Sequence, residues 1–428
     1  MKSAGKLSGP PPRSLQSTYK KSILSNGIRV ISEEIPMVRS VSVGVWIDVG
    51  SRDEQESNNG IAHFIEHMAF KGTRKRSVRE IAQSLESVGG YLNAFTGKEH
   101  TCFYARVLDE FTPLAVDVLA DIILNATFPE KEIEKEKGVV IEELKNAEDD
   151  PDDIIHDYFE KAIFGAHPMG FPVIGTEKNL RSFRRQDLLD YLTRNYLPSR
   201  MVVAAAGNIS HQGLVDLANR HFGKTARSRN GTAVRRTRPK ARKPENKEYR
   251  KPIQQAHVCM GRVGYSMNHR LRYPLMLMNS LLGDGMSSRL FQNIREKYGF
   301  AYNVYSFANL MSDSGTFGAY IGTDARHIQD SIDLIWKEFK KIHNRGITNK
   351  ELERIKAQLK GGMMLSLESI PNRMMRLGSS ELYFREFNSM DSIIRNIESV
   401  TVDDIQAVAE DLLKPEEYAT VIFSPEQA

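Results

Sequence analysis

The chain repeats itself, and that repetition limits what it can fold into more than any single motif does. Lys131-Glu132-Ile133-Glu134 opens one helical stretch, and Lys350-Glu351-Leu352-Glu353 opens another. Further on, Gln186-Asp187-Leu188-Leu189 precedes the apolar run Met201-Val202-Val203-Ala204-Ala205, just as Asp403-Asp404-Ile405-Gln406 precedes Tyr418-Ala419-Thr420-Val421-Ile422. Both pairings share nearly one offset, roughly half the length of the 428-residue chain, which is therefore expected to hold two homologous domains. Residues 225–251 separate them, with eleven Lys/Arg against two Glu and breaks at Pro239 and Pro244. The expected division is a disordered leader over 1–18, a first domain over 19–224, a solvated basic linker over 225–251 and a second domain over 252–428.

Within the first domain, residues 20–32 and 40–49 alternate as strands do, the first pair turning at Asn26-Gly27. Residues 77–88, 108–125 and 130–147 carry helical periodicity. Strands cluster with strands and helices with helices, which points to an α+β class over a doubly wound sheet.

Several function classes fall away. No run of eighteen apolar residues exists to span a membrane, and the first twenty residues lack a secretory apolar stretch. A bacterial cytoplasm is the expected compartment. The leader has no acid before Glu33, as organelle-targeting peptides do, yet Pro10-Pro11-Pro12 interrupts any amphipathic helix, so a mitochondrial matrix is the less favoured alternative. The basic run has no aromatic stacking platform, and no nucleic-acid partner is expected. Two cysteines, Cys102 and Cys259, cannot build a disulfide framework or a thiolate metal site, so any metal must be held by histidine and carboxylate.

Such ligands are available. Asn58-Asn59-Gly60 offers a helix start, and Gly72 a stop, around His63-Phe64-Ile65-Glu66-His67. On a helix the two imidazoles lie one turn apart on one face, a spacing that suits zinc. Glu66 lies beside His67, placed to act as a general base without entering the ligand set. His-x-x-Glu-His is the inverted-zincin pattern. It demands a third ligand from elsewhere, and the helix over about 129–147 supplies two candidates. With Ile133 as origin and about 100° per residue, Val140, Leu144 and Val139 define an inward arc that also takes in Glu136 and Glu143, whereas Glu134 and Glu142 fall outside it. Two carboxylates on an apolar stripe require a positive partner. The stretch of helix between them sets them about 10 Å apart along the axis, so one is expected to be the ligand and the other its support.

The segment Gly60-Ile61-Ala62-His63-Phe64-Ile65-Glu66-His67-Met68-Ala69-Phe70-Lys71-Gly72-Thr73 resembles the pitrilysin family of metallopeptidases, in particular its processing-peptidase branch. The resemblance spans nearly all of residues 20–425 and implies that each half is a β-sheet flanked by α-helices. It implies one zinc ion per chain, held by His63, His67 and Glu143, with Glu136 supporting the site. Glu143 stands beyond His67 at the separation where the family places its third ligand. In the second domain the matching segment, Pro274 to Leu282, keeps no ligand. The resemblance also implies that Arg295 and Tyr302 assist the substrate, Tyr302 at the oxyanion and Arg295 at a peptide carbonyl. Asn93 and Ala94, in the strand Tyr91-Leu92-Asn93-Ala94-Phe95-Thr96, would pair with an extended peptide. Asp153 and Asp157 resemble an acidic pair that receives an arginine near the cleaved bond. Because the family sets the zinc site and the Arg/Tyr pair in opposite halves of a clamshell, a two-domain chain bearing both is expected to form a homodimer. The implied activity is zinc-dependent hydrolysis of unfolded or extended peptides inside a chamber. The alternative is a non-catalytic scaffold of the same fold.

Overall fold

The computed structural model describes residues 18–225, 236–240 and 242–426, so most of the expected leader lies outside the described residues. Two sheets organise the chain. The first contains β1 (Thr18–Ile23), β2 (Arg29–Glu34), β3 (Ser40–Ile47), β4 (Tyr91–Thr96), β5 (Thr101–Leu108) and β6 (Met201–Gly207). The second contains β7 (Asn246–Lys251), β8 (Ala256–Gly264), β9 (Ala301–Leu310), β10 (Gly315–Thr323) and β11 (Ala419–Pro425). Their orders are β1-β2-β6-β3-β5-β4 and β7-β11-β8-β10-β9. Each has one parallel pair, β2 with β6 and β7 with β11, and antiparallel neighbours otherwise. The second sheet is therefore the first without its opening strand, as the repeat predicts.

The hairpin turns where expected, with Gly27 at φ 99° and the Asn26 side chain accepting the Ile28 amide at 3.2 Å. The predicted helices appear as Val78–Glu86, as a short 3₁₀ turn continuing into Thr112–Leu124, and as Glu130–Glu148. Among the described residues no helix is long and apolar enough to cross a membrane.

The basic segment is not a solvated linker to its end. Asn246–Lys251 is the edge strand β7, alternating exposed and half-buried side chains. Arg236 is largely enclosed, reaching Asp53 at 2.8 Å and Asp48 at 3.0 Å, and the carbonyl of Thr237 accepts from Arg52 at 2.8 Å. Lysine and arginine counts read as solvation, but acids from distant segments neutralise part of this charge and draw it inward.

Both faces of each sheet are covered, which explains why β3 and β6 are buried almost throughout. Val41, Val43, Val45 and Ile47 alternate toward the helices of the first half, while Trp46 points to the opposite face. That opposite face is closed by a helix from the other half. Ile370–Phe384 lays Ile370, Met374 and Leu377 against Ile31, Trp46, Cys102 and Val202. Reciprocally, Pro151–Phe164 lays Ile155, Phe159 and Ala162 against Cys259, Tyr320, Val421 and Phe423 of the second sheet. Pro151 and Pro371, each in the first turn of its helix, hold matching places in the two halves, so the exchange is part of the repeat. A Cβ on Gly378 would meet the Trp46 indole nitrogen at 2.1 Å, so this helix touches the sheet only because its residue 378 has no side chain.

Candidate metal centre

The helix Ile61–Ala69 starts at Gly60, whose φ of 97° and contact with Gly175 leave no room for a side chain. Ile61, Phe64, Ile65 and Met68 bury the inner face, which turns His63, Glu66 and His67 toward the cleft. A residue that sequence reasoning missed secures this helix. The carboxylate of buried Glu54 accepts the amides of Gly60 and Ala62, both at 2.8 Å, and the Asn59 side chain at 2.9 Å. It answers the unpaired donors of the first turn. Burial pushes Glu54 up to about 8 against the pull of those three donors. Glu54 sits in a polar loop, and nothing in its sequence neighbourhood distinguishes it from a solvated acid.

The helix Glu130–Glu148 crosses alongside and brings its two inward carboxylates to different depths. Glu143 is on the rim, its Oε1 3.6 Å from His63 Nε2 and its Oε2 3.4 Å from His67 Nε2. One ligand atom from each of His63, His67 and Glu143 falls within 4.8 Å of the others, the one such group among the described residues. Glu136 is buried behind them, with Oε1 3.0 Å from His67 Nδ1 and Oε2 2.8 Å from Lys71 Nζ. Val139, expected on the inward arc, is instead 46% exposed. The apolar arc is narrower than the wheel suggests, because Ile133, Glu136, Val140 and Ile141 already fill the buried face.

The electrostatics suit a cation. Burial and then the neighbouring His67 hold His63 down at about 4. Burial would lower His67 too, but hydrogen bonds to Glu136 and Glu143 outweigh it and push this imidazole up to about 9. The site therefore collects positive charge between two carboxylates. Held between these carboxylates, the His67 ring donates from Nδ1 to Glu136 and from Nε2 to Glu143; a metal ion would take the place of the Nε2 proton while Glu136 keeps Nδ1 as the donor, the tautomer a metal requires. Two imidazole nitrogens and one carboxylate form a donor set that fits zinc and leaves further positions open.

Glu66 is half-buried beside this group. Burial raises its pKa, and a hydrogen bond from Thr96 Oγ1 at 2.5 Å to Oε2 opposes the rise. A cleft of about 360 Å³ joins His63, Glu66 and Glu143 to Ala94, Thr96 and Asp157. Ala94 and Thr96 come from β4, the free edge of the first sheet. Asn93 turns the other way, its Nδ2 bonding Tyr91 at 2.5 Å. Asp157 lines the cleft, whereas Asp153, one turn earlier, is exposed and outside it.

Arg295 and Tyr302 are not brought to this cleft. The Arg295 guanidinium lies over the Phe291 ring at 4.6 Å and the Tyr302 ring at 5.0 Å, and Tyr302 is 78% exposed. The helix Arg272–Gly283, which matches the histidine helix, carries no His, Asp, Glu or Cys.

A family model described as Insulinase (Peptidase family M16) matches residues 29–177, and one described as Peptidase M16 inactive domain matches residues 182–359. A Bacillus subtilis protein named uncharacterized zinc protease YmxG is 44% identical over 406 residues, covering 95% of this chain and 98% of that protein. A protein of Mycobacterium tuberculosis also named an uncharacterized zinc protease is 42% identical over 408 residues, covering 95% and 93%. Among solved structures, a protease from Helicobacter pylori superposes with a TM-score of 0.88 at 22% identity, covering 96% of this chain and all of that one. A Pseudomonas fluorescens structure described as peptidase M16 inactive domain gives 0.89 at 21% identity, covering 96% and 99%. These two share the fold. The matched models together cover most of the chain and the relatives align along nearly all of it: the chain belongs to peptidase family M16, the pitrilysin family.

Proposed function

We propose that this chain is a zinc metalloendopeptidase acting on extended or unfolded peptides. The observation that carries the proposal is the convergence of His63, His67 and Glu143 from two separated helices, with Glu66 beside them and free to move a proton. The names of the bacterial relatives support zinc as the metal. Zinc bound here would supply Lewis acidity that makes a water molecule a better nucleophile at neutral pH. Glu66 receives the proton that this water loses and delivers it to the departing amine, a role its raised pKa suits. Glu136 keeps the His67 ring in one orientation. The open edge of β4 offers a backbone ladder to an extended peptide, largely blind to sequence. Asp157 adds a negative charge to the cleft, which favours a basic residue, arginine in particular, near the cleaved bond.

Arg295 and Tyr302 then need a cleft other than the one beside their own histidines. The exposure of Tyr302 in the single chain, with Arg295 stacked against its ring, supports a homodimer in which each chain's pair reaches its partner's metal centre.

The decisive assay uses an unstructured peptide with a quenched fluorophore. Hydrolysis is expected to vanish on chelation, return with zinc and fall about 100- to 10,000-fold in Glu66→Gln at unchanged metal content. Full activity in that variant, or activity indifferent to chelation, would refute the proposal.

A further inference from the structure

The loop 48–54 ties the turn after β4 to the start of the histidine helix. Its Ser51 and Arg52 amides donate to the carbonyls of Gly97 at 3.2 Å and Lys98 at 2.8 Å, in the turn that joins β4 to β5. Gly50 permits that approach, since a Cβ there would stand 2.3 Å from the Gly97 oxygen. The same loop sends Glu54 to the first turn of the histidine helix. The turn is closed further by Gly97 donating to the His100 carbonyl at 2.8 Å, and by Thr101 Oγ1 donating to the Val49 carbonyl at 3.0 Å. Thr96, paired with Thr101 in the β4–β5 ladder, therefore stands at the tied end of the edge strand. From there its hydroxyl reaches Glu66 Oε2 at 2.5 Å.

We infer that Thr96 is a positioning residue for Glu66: its hydroxyl engages Oε2 so that Oε1 is the oxygen presented to the cleft for proton transfer. The inference rests on the peptidase reading and adds a second role to β4. One strand offers its backbone to the peptide and its last side chain to the base, so the peptide's register and the base's orientation are set by the same element. A carboxylate without this partner can rotate about its terminal torsion, which has broad, shallow minima. Misplacement of a proton-transfer group by a fraction of an ångström lowers turnover without altering substrate affinity.

Thr96→Val removes the hydroxyl and keeps the shape, and Thr96→Ser keeps the hydroxyl. The valine variant is expected to lose about 10- to 100-fold in kcat with KM and bound zinc unchanged. The serine variant should regain most of that loss, which a purely steric role of residue 96 would not allow. If Thr96→Val fails to fold, Thr96→Ala against Thr96→Ser makes the same comparison. Crystal structures of the wild type and the valine variant give a second readout that does not need activity: the Glu66 carboxylate should leave its wild-type orientation. A variant lacking the hydroxyl with kcat within about twofold of wild type, or with Glu66 unmoved, overturns the assignment. Should the zinc-loaded wild type cleave nothing, the peptidase reading fails by itself, and the two structures still decide whether Thr96 orients Glu66.

Discussion

The two halves of this chain share one plan and differ at the positions of the proposed metal ligands. In the first, the helix Ile61–Ala69 turns His63 and Glu66 toward a cleft, with the His67 ring 4.7 Å from that of His63. In the second, Arg272–Gly283 packs Leu275, Leu277, Met278 and Leu281 with no ionisable side chain beyond Arg272 at its start, apart from the phenol of Tyr273. The neighbouring helix makes the same point more sharply. Setting Lys131 against Lys350 places Ile355 opposite Glu136 and Gly362 opposite Glu143. Ile355 is fully buried, and so, nearly, is Glu136. The fold thus accepts a hydrocarbon at this depth, and the carboxylate in the first half is there for something other than packing. Its partners, His67 Nδ1 and Lys71, say what.

Moving the acid across tests this contrast most severely. Ile355→Glu places a carboxylate in the second half with no Lys71 or His67 to meet it, and should destabilise the protein by about 3–5 kcal/mol in denaturant titration. A loss below about 1 kcal/mol would mean that this depth tolerates charge by itself, and Glu136 would lose its significance.

The exchanged helices offer a second test. Met374 is fully buried between the halves, its sulfur filling the space above Gly44. Met374→Ala should cost about 2–5 kcal/mol and lower the midpoint of the whole chain in one transition. Two separate transitions, with only one shifted, would show that the halves fold independently despite the exchange.

The reverse substitution, Glu136→Leu, imitates the second half within the first. It is expected to leave the chain folded while weakening zinc binding about 10- to 100-fold by calorimetry, because His67 loses the partner that fixes its ring. Unchanged affinity would make Glu136 a packing residue after all.

The smallest effect concerns pH at the seam between the halves. Burial lowers the pKa of His156 and His257 below their ordinary value of 6.5; His156 bonds Tyr305 and His257 bonds Tyr320, both at 2.8 Å. The unfolded chain therefore takes up protons here before the folded one does. Their contribution is complete above about pH 6.5 and is lost as pH falls through that value toward the folded pKa. Thermal melting from pH 7.5 down to pH 5.5 should show falling stability, and His156→Asn with His257→Asn should flatten the slope. An unchanged slope in that pair would assign the effect to other groups, such as buried His100.

Much of this architecture was legible in the sequence because it depends on periodicity. The repeat at Lys131 and Lys350, the turn at Asn26-Gly27 and the inward placing of Ile133, Glu136 and Val140 on Glu130–Glu148 all follow from spacing alone, although Val139 does not keep to the arc. The wheel kept both Glu136 and Glu143 in play, and only the packed structure shows that one is deep and the other on the rim, since depth depends on the neighbouring helix. Glu54 and Thr96 left no periodic signal. Each acts across a turn or between strands, where a single hydrogen bond decides the role and any loop acid or strand threonine would look the same. The linker expectation falls short in its described part, from residue 236 onward, for a related reason: a run of cations does not reveal that Asp48 and Asp53 lie waiting for Arg236.

The proposed site is three side chains around one divalent ion, and zinc titration of the metal-free protein with stoichiometry read by elemental analysis tests it most directly. One zinc per chain is the expected result, falling to a small fraction in His67→Phe and in Glu143→Ala. A wild-type chain that retains no zinc, or a Glu143→Ala chain that holds it as tightly as wild type, would contradict the site.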